Sequence, residues 1–177
     1  MTAFPALPGL YNLLFLHIEP VSTISPAFLG WFYPGAAWFY SELIPPLVGG
    51  ASSESETGAL DARASMAIWQ LTNCYLLLGL ISSLVFRAVR DALPHDPVAQ
   101  ERIVGASLTA LALADVTHMI VTLVGLPPDI RYNPLVWNPM THGNISFVVV
   151  LLSARLAWFM GIGRKTYYYG KPSSKKD

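Results

Sequence analysis

The stretch IVGASLTALALADVTHMIVTLVGL, residues 103–126, decides the fold. It is 24 residues long and apolar apart from Asp115 and His118, with small hydroxyl side chains besides. Roughly 20 apolar residues in helical conformation cross a bilayer core. A soluble core helix would carry a polar face, and this stretch has none. Gly105, Ala106, Ser107, Ala110, Ala112 and Ala114 let a neighbouring helix approach closely. Asp115 sits near the middle, and His118 follows one turn later on the same face.

Three further stretches share this character. Span one covers about 10–33, span two about 65–89 and span four about 144–162. Span one is interrupted by Pro20 and Pro26, each lacking a backbone donor and clashing with the carbonyl four residues earlier, so a kinked or broken helix is expected. In span two, Trp69, Gln70 and Asn73 precede the apolar run YLLLGLISSLVF (75–86), and Trp69 and Asn73 share a face. Span four carries Arg155 near its centre and Trp158 and Phe159 at its exit. The fold class expected is all-α: a polytopic four-helix transmembrane bundle over residues 1–165, with a kinked first helix and a basic tail at 166–177.

Composition agrees. The 177 residues are 53% hydrophobic and 12% charged, where a soluble domain carries about 25% charged residues. The formal net charge is zero, and no Lys or Arg stripe suits a phosphate backbone, so nucleic acid is not an expected partner. Cys74, the single cysteine, allows no intrachain disulfide and reads as a small core residue. The beginning MTAFPALPGLYNLLFLH has no basic segment or cleavage site and reads as a retained span.

Between the spans, GAAWFYSELIPPL (35–47) suits the headgroup region through Trp38, Phe39 and Tyr40, and GGASSESETGALDAR (49–63) reads as a solvated loop. The connection 87–102 holds Arg87, Arg90 and Arg102. The tail holds Arg164, Lys165, Lys171, Lys175 and Lys176, whereas the opposite loops hold Arg63 and Arg131. The positive-inside rule then puts both termini in the cytosol. The terminal KKD approximates a dilysine retrieval signal, which suggests the endoplasmic reticulum.

Glu19, Asp115, His118 and Arg155 therefore lie within apolar spans, with His17 beside Glu19. Buried charges of this kind each cost about 3 kcal/mol or more, and they mark function by default. One reading is structural, an Asp115–Arg155 pair that fixes helix register. Desolvation can exceed the Coulomb gain of such a pair. The functional reading uses the surplus carboxyl: a carboxylic acid kept neutral in an apolar site can donate a proton. A second carboxylate or histidine takes one back, as isomerisation or cyclisation of an alkene or epoxide requires. Glu19 or Asp115 would be the donor, Arg155 would hold the other carboxylate ionised, and His118 would relay. Glu19, with no assured cation of its own, is the more interesting carboxyl. His17, Trp69, Asn73, Trp31 and Trp158 would line the ligand site, the tryptophan faces stabilising a carbocation. No metal site or cofactor is expected, because the spacings of His17, Glu19, Asp115 and His118 match no ligand motif. His95 and His142 read as solvated loop residues.

The stretches FLHIEP (15–20), WQLTNCYLLLGL (69–80), ALADVTHMIVTL (112–123) and WNPMTHGNISFVVVLLSARLAWFMGIGRK (137–165) together resemble a group of small fungal integral membrane proteins known only as a domain of unknown function. That resemblance covers nearly the whole chain and implies a fungal source without implying a chemistry. In architecture alone the chain is similar to the emopamil-binding-protein and sigma-2 receptor superfamily and to fungal transmembrane terpene cyclases. The latter similarity implies specialised metabolism of an apolar terpenoid, sterol or polyketide, with the lipid bilayer as surroundings. Because the chain is shorter than those cyclases, a complete pocket of that kind would need a homodimer. The rival reading is a non-catalytic lipid- or sterol-binding or assembly protein.

Overall fold

The structure, a computed structural model, describes residues 4–45 and 60–169. The solvated-loop reading of 49–59 and the basic residues Lys171, Lys175 and Lys176 lie outside the described residues. Among the described residues every regular element is helical. Four helices are long and apolar enough to cross a membrane: α1 (Leu10–Trp31), α3 (Ala62–Ala92), α4 (Pro97–Gly125) and α6 (Pro139–Phe159). Short helices α2 (Ala36–Glu42) and α5 (Pro128–Arg131) lie in the connections.

The helices start earlier than hydropathy alone indicates, because capping chemistry sets their beginnings. Asp61 accepts from the backbone N–H of Arg63 at 2.7 Å and Ala64 at 3.1 Å, starting α3. Asp96 accepts from Ala99 N–H at 2.8 Å ahead of Pro97 in the first turn of α4. Asn138 does the same for Thr141 N–H at 2.8 Å, with Pro139 following it. Side-chain oxygens satisfy orphan donors at these ends, and proline costs nothing at a first helical position.

Helix α1 does not break at its prolines. The expected irregularity is a π-helical turn at Leu14–Ile18, directly before Glu19 and Pro20. Pro20 has no N–H to offer the Leu16 carbonyl, and Arg87 Nη2 approaches that oxygen to 3.5 Å. Ser22 and Thr23 each donate to the Glu19 carbonyl at 2.8 Å. The Leu16 carbonyl freed by Pro20 is thus met by a side chain, as membrane burial requires, and the Glu19 carbonyl gains two hydroxyl donors. A second π-helical turn, Gly143–Phe147, lies within α6.

Helix α1 packs chiefly along α3, and α4 packs chiefly along α6. Close approach of the first pair depends on Gly79, where a Cβ would lie 2.6 Å from Ile24 Cγ1 and 3.2 Å from the Pro20 carbonyl oxygen. One half of the bundle is filled by Phe4, Leu7, Phe15, Phe86, Leu108 and Trp158. The other half is hollow. Many large apolar side chains, among them Leu77, Leu84, Leu113 and Val121, point outward, as lipid-facing residues do. Cys74 is also exposed and not in the core as its sequence context suggested, because it sits on the outer face of α3.

Residues 166–169, expected as the start of a basic tail, are held against the bundle. Glu101, completely buried, accepts from Arg164 Nη2 at 2.9 Å and from the backbone N–H groups of Tyr167, Tyr168 and Tyr169. Arg164 lies 3.8 Å above the Trp158 ring centroid, and the Tyr169 ring fills the space that a side chain at position 105 would take. Residues 167–169 therefore close one end of the bundle.

Candidate functional site

The hollow half contains a cavity of about 570 Å³, within the range of small-molecule sites. Three helices each give it one stripe at helical spacing: Glu19, Ser22, Thr23 and Pro26 from α1; Leu111, Ala114, Asp115 and His118 from α4; Asn144, Phe147, Val148, Leu151 and Arg155 from α6. Helix α3 adds Tyr75 and Leu78, and α2 adds Phe39.

Arg155 is 1% exposed and bridges both carboxylates. Its Nη2 donates to Glu19 Oε1 at 2.5 Å, and its Nη1 donates to Asp115 Oδ2. The guanidinium also lies 5.6 Å from the Phe15 ring centroid, a cation–π contact. The bridge ties α1 to the α4–α6 pair across the cavity. Glu19, expected to lack a cation of its own, has one. The guanidinium carries five N–H donors on three nitrogens, so Nη1 and Nη2 can each serve a different carboxylate.

The cluster is nevertheless unequal. Two carboxyls share a single guanidinium, so it is electrically neutral only when it also holds one proton or another positive charge. Glu19 Oε2 and Arg155 Nε are fully enclosed and have no hydrogen-bond partner among the described residues. Asp115 Oδ1 also takes no hydrogen bond from a described residue, but Asp115 keeps 8% exposure on the cavity wall, against 5% for Glu19. Asp115 is thus the carboxyl better placed to meet an occupant.

His118 lines the same cavity, one turn along α4, and its Nε2 lies 3.4 Å from Asn144 Oδ1. The other sequence candidates stand elsewhere. His17 is exposed and outside the cavity, because residues two apart on a helix face different sides; it therefore does not converge with Glu19, Asp115 and His118. Asn73 is exposed, and Trp69 is 47% exposed. Trp31 Nε1 donates to the Trp69 carbonyl at 3.4 Å, joining α1 to α3 away from the cavity. Trp158 is buried in the filled half, where Nε1 donates to the Ala6 carbonyl at 2.7 Å. The aromatic faces on the cavity belong to Phe39, Tyr75 and Phe147.

Sequence reading missed Asn144, Phe147, Tyr75 and Phe39. The first two were legible: Asn144, Phe147, Val148, Leu151 and Arg155 repeat at three- and four-residue intervals on one face. Phe39 reaches the cavity through the chain reversal after α1, for which the sequence carries no periodic signal.

No curated protein and no solved structure matches this chain. A family match, by contrast, runs from residue 4 to residue 165 and takes in all four spans, the cavity and the Glu19–Arg155–Asp115 cluster. The chain belongs to the family described as Domain of unknown function (DUF7704).

Proposed function

We propose that the cavity binds an apolar terpenoid- or sterol-like molecule from the bilayer and that Asp115 performs acid–base isomerisation of an alkene on it. The observation that carries this reading is the surplus carboxyl: Arg155 is the only cation among the cavity-lining residues, and two carboxyls meet it there. When the cluster holds its balancing proton on Asp115, a general acid faces an otherwise apolar space.

In the proposed step the alkene π electrons take the Asp115 proton, forming a C–H bond and leaving a carbocation on the neighbouring carbon. The faces of Phe39, Tyr75 and Phe147 offer it the negative side of their quadrupoles. A proton then leaves the next carbon for the Asp115 carboxylate or for His118, and the double bond re-forms one position away. His118 lies about 4.5 Å further along the helix axis, which suits a shift over so short a distance. Atoms and electrons balance without a cofactor. Arg155 orients Asp115 and shares its guanidinium with Glu19. The tryptophans have no part in it.

The test uses full-length protein in nanodiscs, a panel of terpenoid and sterol alkenes, and D2O as solvent. A shifted double bond carrying solvent deuterium, lost in Asp115→Asn with the protein still folded, supports the reading. Absence of solvent deuterium in every alkene of the panel would sink it.

The second reading, a binding protein without chemistry, is favoured by the Arg155 bridge itself, since a guanidinium between two helix pairs is also what a structural tie requires. Under that reading Asp115→Asn changes stability and leaves metabolite profiles unchanged.

The charge bias of the short loops supports a cytosolic side for the connection 87–102 and for the tail. A glycosylation acceptor inserted at the tail should stay unmodified, and one inserted between Gly49 and Gly58 should be modified.

A further inference from the structure

We infer that the occupant of the cavity carries a neutral oxygen function, a hydroxyl or a carbonyl, and that this group sits at the His118–Asn144 pair. The inference rests on the reading that the cavity holds an apolar molecule, and it names the class of that molecule.

The cavity has two polar poles. In the Glu19–Arg155–Asp115 cluster four atoms are paired in two hydrogen bonds that hold it across two helix pairs. The His118–Asn144 pair is not so held. Its one contact, 3.4 Å, is long for a hydrogen bond, and no other hydrogen bond joins either side chain to a described residue. The Asn144 amide nitrogen and one ring nitrogen of His118 are thus left without partners among the described residues, half-buried on the cavity wall beside the apolar Val121, Phe147 and Val148. Counted from Gly125 at the end of α4, His118 lies about 10 Å inside the helix. Polar groups at such depth cost free energy when unmet. An oxygen arriving on a ligand meets them, and the ligand's own oxygen is met in return.

The charge of that oxygen follows from the neighbouring pole. An anionic group one turn from Asp115 would oppose the ionised form that follows proton donation, and a cationic one would take the place of the cluster's balancing proton and leave the Asn144 amide unfilled. A neutral oxygen suits both poles. It also fixes the occupant's orientation: with the oxygen at His118, the carbon about one helical turn from it lies against Asp115. The class is therefore an unsaturated terpenoid or sterol alcohol or ketone whose double bond is close to its oxygen.

Binding can be read apart from chemistry. Full-length protein in nanodiscs is titrated with three probes of one sesquiterpene skeleton, the alcohol, the ketone and the hydrocarbon lacking oxygen, and ligand-induced thermal stabilisation is followed. The alcohol or the ketone should half-saturate at a mole fraction at least about tenfold below that of the hydrocarbon, and whichever is tighter identifies the oxygen function. Asn144→Leu and His118→Phe should each remove that preference, and Asn144→Gln, which keeps an amide should the leucine variant fold poorly, should retain part of it. Equal binding of all three probes, or a preference that survives both Asn144→Leu and His118→Phe, overturns the inference. Saturable binding of none of them overturns the apolar-pocket reading as well. Failure of the D2O experiment leaves the preference standing, so the two ideas fall separately.

Discussion

Arg155 Nη2 stands 2.5 Å from Glu19 Oε1, joining the fourth spanning helix to the first over a separation of 136 residues. The same guanidinium holds Asp115 on the third. Three helices that enclose the cavity thus meet at one cation, and stability and any chemistry of the cavity are coupled there.

Removing that cation alone should be costly. Arg155→Met leaves two buried carboxyls facing each other, and the expected loss is about 3–5 kcal/mol. The triple change Glu19→Leu, Asp115→Leu and Arg155→Leu should cost less than Arg155→Met, because no charge is then left unpaired. Unfolding of the detergent-solubilised variants measures both, and a triple variant weaker than the single one would contradict the account.

The two carboxyls should differ in rate effects. Asp115→Asn is expected to lower deuterium incorporation by about 10²-fold or more. Glu19→Gln should lower it less, since its free oxygen is enclosed and its role is to share the guanidinium. The comparison is made on initial rates with matched protein in nanodiscs.

Trp158 should matter for stability and not for chemistry. Trp158→Phe removes the 2.7 Å bond to the buried Ala6 carbonyl, at a cost of about 1–3 kcal/mol for an unmet buried acceptor. Trp31→Phe should cost less, because its contact with the Trp69 carbonyl is longer and exposed, and Trp69→Phe leaves that backbone acceptor in place. Rates per folded molecule should be unchanged in all three.

Gly79→Ala should loosen the α1–α3 contact. The added methyl would meet Ile24 at 2.6 Å and the Pro20 carbonyl oxygen at 3.2 Å, an overpacking cost of about 1–3 kcal/mol. Thermal melting checks the value, and Ile24→Ala in the same chain should recover part of it.

Much of the fold was legible because hydropathy and length fix a membrane bundle almost unaided. The site was legible in part. Asp115 and Arg155 declared themselves as charges near the middle of long apolar runs, and their pairing followed from the cost of leaving them apart. His17 misled because adjacency in sequence is not adjacency on a helix. Trp69 and Asn73 share a face, as their spacing requires, but it is the wrong face: Thr72, next to Asn73, is buried, and Tyr75 reaches the cavity. Which face turns inward depends on the neighbours, and a single helix does not record them. Glu101 was passed over for a related reason. It stands in a charged connection, and its burial is created by residues 63 and more positions later.

That separation sets an order of events during synthesis. Glu101 reaches the membrane surface with the third spanning helix, long before the ribosome has made Arg164 or the three tyrosine amides that neutralise and bind it. Until those residues arrive, its carboxylate must stay in water, holding that end of α4 open even when all four helices have been inserted. Sealing of the bundle is therefore a final, post-insertion step, and a nascent chain stalled before residue 167 would present an unfinished end to the machinery that inspects membrane proteins.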